Sequence, residues 1–95
     1  PGQYKLHYSP GIPIKLNIKK ANNNQAFLLI KKQKDDQPNY YYLTKTRNLN
    51  EAARNLYSTL RQIKKDKFKY IVVQKIPSIG LGKTINDRLL RASKF

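Results

Sequence analysis

An alternation of strand-like and helix-like segments in the second half of the chain restricts the fold more than any other feature of the sequence. The segments Tyr40–Thr44 and Tyr70–Ile76 are rich in strand-forming side chains. Between them, apolar residues recur with the i, i+3, i+4, i+7 spacing of an amphipathic helix. These apolar residues are Leu49, Ala52, Ala53, Leu56, Tyr57, Leu60 and Ile63. A second helix follows Gly80 and Gly82, so the order predicts a βαβ unit with parallel strands.

The first of these helices carries a start signal in the sequence. Asn48 stands before the first apolar residue of the pattern, and Glu51 follows three residues later. An Asn followed at this spacing by Glu is typical of an N-cap with a capping box. The sequence therefore predicts that Asn48 caps the helix and that Glu51 reaches back to it.

Two further strands are predicted in the first half of the chain. Residues Ile14–Lys19 alternate between apolar and polar side chains, which is typical of a half-buried strand. Residues Ala26–Ile30 form an apolar run of strand length, which indicates a buried strand. The whole pattern predicts a small α/β domain of two or three layers, with a mostly parallel sheet of about four strands and two main helices.

An extended arm is predicted before the first strand. Pro1, Pro10 and Pro13 cannot sustain a helix or a central strand, and Gly2 and Gly11 lie among them. The sequence therefore divides into an arm, residues 1–13, and an α/β domain, residues 14–95. An arm of this length cannot build its own core, so it either lies on another surface or is a linker.

Length and hydropathy favour one globular domain outside a membrane. The chain has 95 residues with a mean hydropathy of −0.75. Its longest apolar run, Ala26–Ile30, is far shorter than the roughly 20 residues that a membrane span needs. The N-terminal residues show no apolar core of a signal peptide, and the chain has no cysteine. We therefore expect no membrane contact and a reducing compartment such as the cytoplasm.

Net charge is the strongest indication of a binding partner. The chain has 20 Lys and Arg against 5 Asp and Glu, which gives +15. Such an excess favours phosphate-rich partners, and RNA is the leading candidate. The alternative is a lysine-rich solvated surface without a partner. Tyr40–Tyr42 could stack on bases, but alternate strand residues face opposite sides, so packing within the sheet is the favoured role.

The glycine turn Gly80–Thr84 has two interpretations. Its Gly82-Lys83-Thr84 end matches a Walker A loop, but Pro77 stands where the first glycine of that loop belongs, and proline offers no N–H. We therefore do not expect an NTPase. The amino end of the following helix and Lys83 could still contact an anion. Alternatively, Gly80 and Gly82 provide unusual backbone angles or a close approach of strand and helix.

No catalytic or metal site can be assembled from the residue types present. His7 is the single histidine, so the chain has neither a histidine metal cluster nor a Ser-His-Asp arrangement. Asp35 and Asp36 are neighbours in a charged loop, which is not the geometry of an acid–base pair. By its chemistry alone, the chain is predicted to be a binding or accessory domain that holds no cofactor.

Three segments resemble the Sua5-type threonylcarbamoyl-AMP synthases. Pro1–Pro10 is similar to the family's linker, a Pro-Gly start followed by Lys-His-Tyr-Ala/Ser-Pro. Glu51–Arg61 is similar to its Ala-x-x-Leu-Tyr/Phe-x-x-Leu-Arg helix, and Gly80–Ala92 to its closing Gly-Leu-Gly-x-Ala-Ile-x-Asp-Arg-Leu-x-Arg-Ala signature. Leu6 replaces the usual lysine and Thr84 the usual alanine. The strand at residues 27–30 has larger side chains than the family's small, glycine-containing one.

The resemblance implies the linker and the Rossmann-like C-terminal domain of an enzyme of transfer-RNA modification. That enzyme uses ATP, threonine and bicarbonate, with magnesium, to make threonylcarbamoyl-adenylate, which supplies the group for threonylcarbamoyladenosine in tRNA. Its catalytic, nucleotide-binding domain of the YrdC type precedes this region in the family. The resemblance therefore implies an accessory role with that domain as partner, tRNA as a candidate partner, and no catalysis by this chain alone. The alternative is a free-standing basic RNA-binding module.

The resemblance also places roles on individual residues. The linker residues that it brings to the active site, as a gate, are His7, Tyr8, Ser9 and Pro10. The signature residues that it assigns to shaping the domain are Gly80, Gly82, Asp87 and Arg88, with Lys83 as the candidate anion contact.

Overall fold

The computed structural model describes residues 8–93 and contains one four-stranded sheet and two helices. The elements in chain order are β1 Ile14–Lys15, β2 Ala26–Leu29, β3 Tyr40–Tyr42, α1 Leu49–Lys65, β4 Ile71–Val73 and α2 Leu81–Ala92. The strands lie in the order β1-β4-β2-β3, and every neighbouring pair is parallel. The predicted α/β class, the parallel sheet and the two helices are confirmed.

Parallel pairing places the ends of all four strands on a common side of the sheet. The residues that directly follow the strands are Leu16, Ile30, Leu43 and Gln74, and we call their side of the sheet the carboxyl edge. Both helices begin after a strand, so α1 and α2 start at this edge. Ligand sites of open α/β sheets lie outside this end of the strands.

Both helices pack on the same face of the sheet. The main core joins Leu28 of β2 and Val73 of β4 to the buried stripes of the two helices. The stripes consist of Ala52, Leu56, Leu60 and Ile63 in α1 and Gly82, Ile85, Leu89 and Ala92 in α2. Since no helix of the described chain packs on the opposite face, the domain has two layers of secondary structure.

The opposite face of the sheet is covered by loop and strand residues. Phe27, Leu29 and Val72 are buried there beneath Ile18, Ala21, Tyr40 and Tyr42. Tyr40 meets Phe27 edge-to-face, with ring centroids 5.2 Å apart. Tyr41 lies on the helical face, against Phe68 and the main core. The predicted alternation of the three tyrosines and their packing role in the sheet are confirmed.

The start of α1 confirms the predicted cap but not the capping box. The Asn48 Oδ1 atom accepts hydrogen bonds from the backbone amides of Asn50 and Glu51, at 2.9 and 3.1 Å. The carboxylate of Glu51 accepts instead from the backbone amide of Lys45, at 2.8 Å. The prediction that Glu51 reaches back to Asn48 was wrong, because the preceding turn presents the Lys45 amide to this carboxylate.

All four strands are shorter than predicted, and β1 shows the reason most clearly. Asn17 has a positive φ of 61°, which interrupts the extended backbone after Lys15. The chain nevertheless stays beside β4, because the Ile18 amide donates to the Val73 carbonyl at 2.9 Å. No helix in the described part of the chain is long and apolar enough to cross a membrane.

Candidate functional site

The first described residues are attached to α1. The Tyr8 ring meets the Tyr57 ring edge-to-face, with centroids 6.0 Å apart. The guanidinium carbon of Arg61 lies 5.6 Å from the centroid of the Tyr8 ring, within the range of a cation–π contact. Tyr8 and Arg61 also line an open cavity of about 480 Å³ beside the second half of α1. Tyr8 is therefore held on one helix by an aromatic and a cationic side chain.

The residues after Tyr8 continue this attachment into the core. Pro10 and Ile12 are buried, and Ile12 belongs to the main core. The Ser9 hydroxyl accepts a hydrogen bond from the Gly11 amide at 3.3 Å, and the Pro13 carbonyl accepts one from the Ile71 amide at 3.0 Å. Residues 8–13 thus lie on the domain. His7, the remaining predicted gating residue, lies outside the described residues, and the division at residue 13 stays a prediction.

The glycine turn brings the start of α2 against the backbone of the preceding loop. A Cβ atom on Gly82 would lie 2.0 Å from the Pro77 carbonyl oxygen, which no side chain can tolerate without movement. Gly80 has a positive φ of 57°, a conformation that favours glycine. The side-chain amide of Asn86 donates to the Ile76 carbonyl at 2.7 Å and to the Ser78 hydroxyl at 2.9 Å. Both glycines are therefore explained by the backbone geometry of the turn.

The backbone donors at the start of α2 are used within the turn. The Gly82 amide donates to the Ile79 carbonyl at 3.0 Å, and the Lys83 amide donates to the Gly80 carbonyl at 3.1 Å. The Thr84 amide lies 3.5 Å from the same Gly80 oxygen. An anion at this helix end would compete with these bonds, so the contact with Lys83, whose side chain is exposed, stays a prediction.

The remaining signature residues lie on other faces of α2. Asp87 is exposed and lines a cavity of about 460 Å³ between α2 and β1, together with Ser78 and Asn86. Arg88 is half-buried. The arm residues contact α1, whereas the glycine turn contacts the loop before α2. The structure therefore shows two separate groups of predicted residues.

A basic crevice at the carboxyl edge was not predicted from the sequence. It has a volume of about 310 Å³ and lies between the ends of β2 and β4. Its polar lining consists of Lys31, Gln33, Arg47, Gln74 and Lys75. Ile30 and Pro77 complete it. We call this cavity the edge crevice. The sequence did contain a signal, because parallel strands bring the residues that follow them to one edge.

A second cavity lies beside the edge crevice, at the end of β3. It has a volume of about 480 Å³ and is lined by Lys32, Tyr42, Thr44, Lys45, Glu51 and Asn55. The Asn55 amide donates to the Leu43 carbonyl at 2.9 Å, which ties α1 to the end of the strand. This cavity combines two cations, one carboxylate and one aromatic ring.

Two tyrosines bind acidic side chains and stay protonated. The Tyr41 hydroxyl donates to Asp66 at 2.5 Å, and the Tyr42 hydroxyl donates to Asp36. Burial, followed by these hydrogen bonds to carboxylates, raises the pKa of both phenols well above their usual range. Each phenol is therefore a neutral donor that occupies a carboxylate. Within residues 8–93, no group of three or more His, Cys, Asp or Glu side chains could hold a metal ion.

The sequence of the chain matches a known protein family. The model of the threonylcarbamoyl-AMP synthase C-terminal domain matches residues 1–94. This chain belongs to that family. The match extends over the arm, α1 and the glycine turn together, as the sequence motifs predicted. No curated protein matches the chain in sequence.

The fold of this Sua5 C-terminal domain also recurs in a solved structure. The crystal structure of P. abyssi Sua5 complexed with L-threonine matches with a TM-score of 0.66 and 22% sequence identity. The match covers 92% of this chain and 29% of the P. abyssi chain. At this identity the likeness concerns the fold, and the chain spans less than a third of the length of that protein.

Proposed function

We propose that this domain serves a threonylcarbamoyl-AMP synthase as an accessory domain that holds the arm over the active site of a separate catalytic domain. The catalytic domain, of the YrdC type, uses ATP, threonine and bicarbonate in the cytoplasm to make the adenylate for tRNA modification. The observation that carries the proposal is the attachment of Tyr8 to α1, in a chain that matches the family from the arm onwards.

The attachment explains how an accessory domain could act on a reaction in a separate catalytic domain. Tyr8 is fixed by Tyr57 and Arg61, and Pro10 and Ile12 are buried two and four residues later. A segment whose base is already ordered loses less conformational entropy when its next residues dock on a partner. The proposal therefore places the contact with the catalytic domain next to Tyr8, whose ring is held by the domain. A closed arm would cover bound nucleotide and exclude water.

The described residues do not fit magnesium and ATP. Within residues 8–93, no group of three or more His, Cys, Asp or Glu side chains could hold a metal ion. The amides of Gly82 and Lys83 are bonded within the glycine turn, and Pro77 lies where a phosphate loop needs an N–H. We therefore assign nucleotide binding to the catalytic domain.

The proposal is tested in the full-length protein with His7→Ala and Tyr8→Ala combined. We expect slower adenylate formation and weaker threonine binding, because the arm loses both its last anchored ring and the neighbouring imidazole. Adenylate formation from ATP, threonine and bicarbonate is measured together with the dissociation constant of threonine. If both quantities equal those of the unmodified protein, the arm does not gate the site.

Two controls separate gating from a general loss of structure. Tyr8→Phe keeps the ring contacts with Tyr57 and Arg61, so it is expected to retain threonine binding. Tyr70→Ala removes a tyrosine that is 52% exposed and belongs to neither core cluster. We expect Tyr70→Ala to leave both measurements unchanged.

A further inference from the structure

The edge crevice concentrates positive charge without an opposing acid. Its charged side chains are Lys31, Arg47 and Lys75, and its other polar side chains are the amides of Gln33 and Gln74. None of the five acidic residues of the chain lines it. Cations that converge in this way repel one another, and an anion between them would relieve that repulsion.

The acidic side chains have other positions and partners. Asp36 accepts from the Tyr42 hydroxyl and lies 3.7 Å from the Lys32 ammonium group. Glu51 accepts from the Lys45 amide, and Asp66 accepts from Tyr41 and Gln62. Asp35 accepts from Gln37, and Asp87 lines the cavity beside β1. The charge of the crevice is therefore not neutralised from within the described chain.

A hydrogen-bonded turn before α1 places Arg47 at the crevice. Arg47 has a φ of 69°, in the left-handed region that side chains rarely adopt. The Thr44 hydroxyl, in a residue only 4% exposed, accepts hydrogen bonds from the amides of Thr46 and Arg47 at 3.0 and 2.5 Å. The position of the Arg47 backbone is thus fixed by a buried hydroxyl group.

The geometry favours a polymer of phosphates over a single nucleotide. A bound nucleotide triphosphate is usually cradled by backbone amides, but the amides at the start of α2 are bonded within the glycine turn. The contacts available are side-chain cations, which suit phosphodiesters. Basic residues also continue along the edge on both sides of the crevice, with Lys32 and Lys45 at β3 and Lys15 at β1.

The length and chemistry of the carboxyl edge match an RNA strand. Three spacings of about 4.8 Å between four strands give an edge of about 14 Å, longer than one phosphate group. The cavity next to the crevice is lined by Tyr42, Lys32 and Lys45, with Glu51 as its one acidic residue. An aromatic ring in the same cavity as two cations suits an unpaired base beside its phosphate.

We propose that the carboxyl edge binds the phosphodiester backbone of RNA, with Lys31, Arg47 and Lys75 contacting its phosphates. The inference is independent of the arm, since it depends on residues at the ends of β2 and β4 and before α1. It is tested by different variants and a different measurement, so either proposal can fail alone.

The test compares two charge-matched triple variants of the full-length protein. One carries Lys31→Gln, Arg47→Gln and Lys75→Gln. The control carries Lys20→Gln, Lys69→Gln and Arg91→Gln. It removes the same number of charges, from two lysines and one arginine, at exposed positions outside the crevice. Binding of an unmodified tRNA transcript is measured by fluorescence anisotropy between about 50 and 200 mM salt, where phosphate contacts affect affinity steeply.

The crevice triple is expected to lower affinity about tenfold or more and to reduce the slope of log K against log salt by about 2 to 3. The control is expected to change that slope by less than about 1. Equal losses in both triples would show diffuse charge and overturn the proposal, as would no loss in either. A crevice triple that loses binding of fluorescent ATP but not of tRNA would overturn it in favour of a nucleotide site.

A second pair of variants covers the case in which Arg47→Gln disturbs its turn. Lys31→Gln with Lys75→Gln leaves residues 44–47 unchanged, and Lys20→Gln with Lys69→Gln is its matched control. The crevice pair is expected to reduce the salt slope by about 1 to 2. Equal slopes for the two pairs contradict the proposal.

Discussion

Gly82 is the glycine with the least space for a side chain. The Pro77 carbonyl occupies the space of a Cβ atom, so Gly82→Ala must push α2 away from the loop before it. Because α2 contributes Ile85 and Leu89 to the core, we expect a loss of about 1–3 kcal/mol in the free energy of unfolding, the usual range for overpacking. Urea unfolding of the purified protein measures it.

Gly80 provides the comparison for this prediction. Gly80→Ala meets no atom within 4 Å but must adopt a φ of 57°, so backbone strain is its only penalty, about 1–2 kcal/mol. Gly80→Asn is expected to cost about as much as Gly80→Ala, because Gly80 has a ψ of −127° and the tolerance of asparagine for positive φ applies where ψ is also positive. The same substitution at Gly82 is expected to be no milder than Gly82→Ala. If Gly82→Ala leaves the free energy of unfolding unchanged while Gly80→Ala lowers it, the close contact with Pro77 is not what requires Gly82.

At the residue scale, the sequence identified Gly80 and Gly82 as important but did not decide between an anion contact and a backbone role for them. The glycines were open to an anion contact or to a backbone role, and the position of the Pro77 carbonyl could not be derived from sequence. Arg47 shows the opposite case. Nothing in the sequence marks it, since its left-handed backbone depends on the buried Thr44 hydroxyl, a contact that only the folded turn creates.

The cap of α1 is the clearest prediction at the scale of a single element. Asn48→Ala removes the acceptor of the Asn50 and Glu51 amides, so we expect a loss of about 0.5–2 kcal/mol in unfolding free energy. Asn50→Ala is the matched control, because the Asn50 side chain is exposed and is not the capping group. Equal losses for the two variants would mean that Asn48 contributes through something other than its cap.

Elements with a strong period were predicted well, and elements limited by turns were not. The stripe of α1 needs only local spacing, and its buried positions agree with the pattern. The strand β1 ends after two residues because Asn17 turns the backbone, and alternation alone does not reveal such a turn.

The edge crevice was not predicted for a related reason. Its lining comes from three separate loops, and their meeting depends on the strand order β1-β4-β2-β3.

At the scale of the whole molecule, one fold carries two separate surfaces for which we propose different roles. The second half of α1 contacts Tyr8 of the arm through Tyr57 and Arg61, and the edge crevice has three cations and no acidic side chain in its lining. The core connects the arm to the rest of the domain, because Ile12 packs with Leu28 and the helices. The account therefore makes the domain a support whose integrity near the arm matters to a partner's reaction.

The most direct test of this account is the KM for threonine in the full-length protein with Ile12→Ala. Ile12 is 7% exposed, within the core, so any effect on threonine must pass through the position of the arm. Ile76→Ala is the control, because it makes the same change at a residue that is 3% exposed and lies before α2. Both variants are expected to lose about 2–5 kcal/mol of stability, the range for Ile to Ala in a core. They are compared at a temperature where both remain folded. We expect a raised KM for threonine in Ile12→Ala and an unchanged KM in Ile76→Ala. An unchanged KM in Ile12→Ala, or an equal rise in both variants, would contradict it.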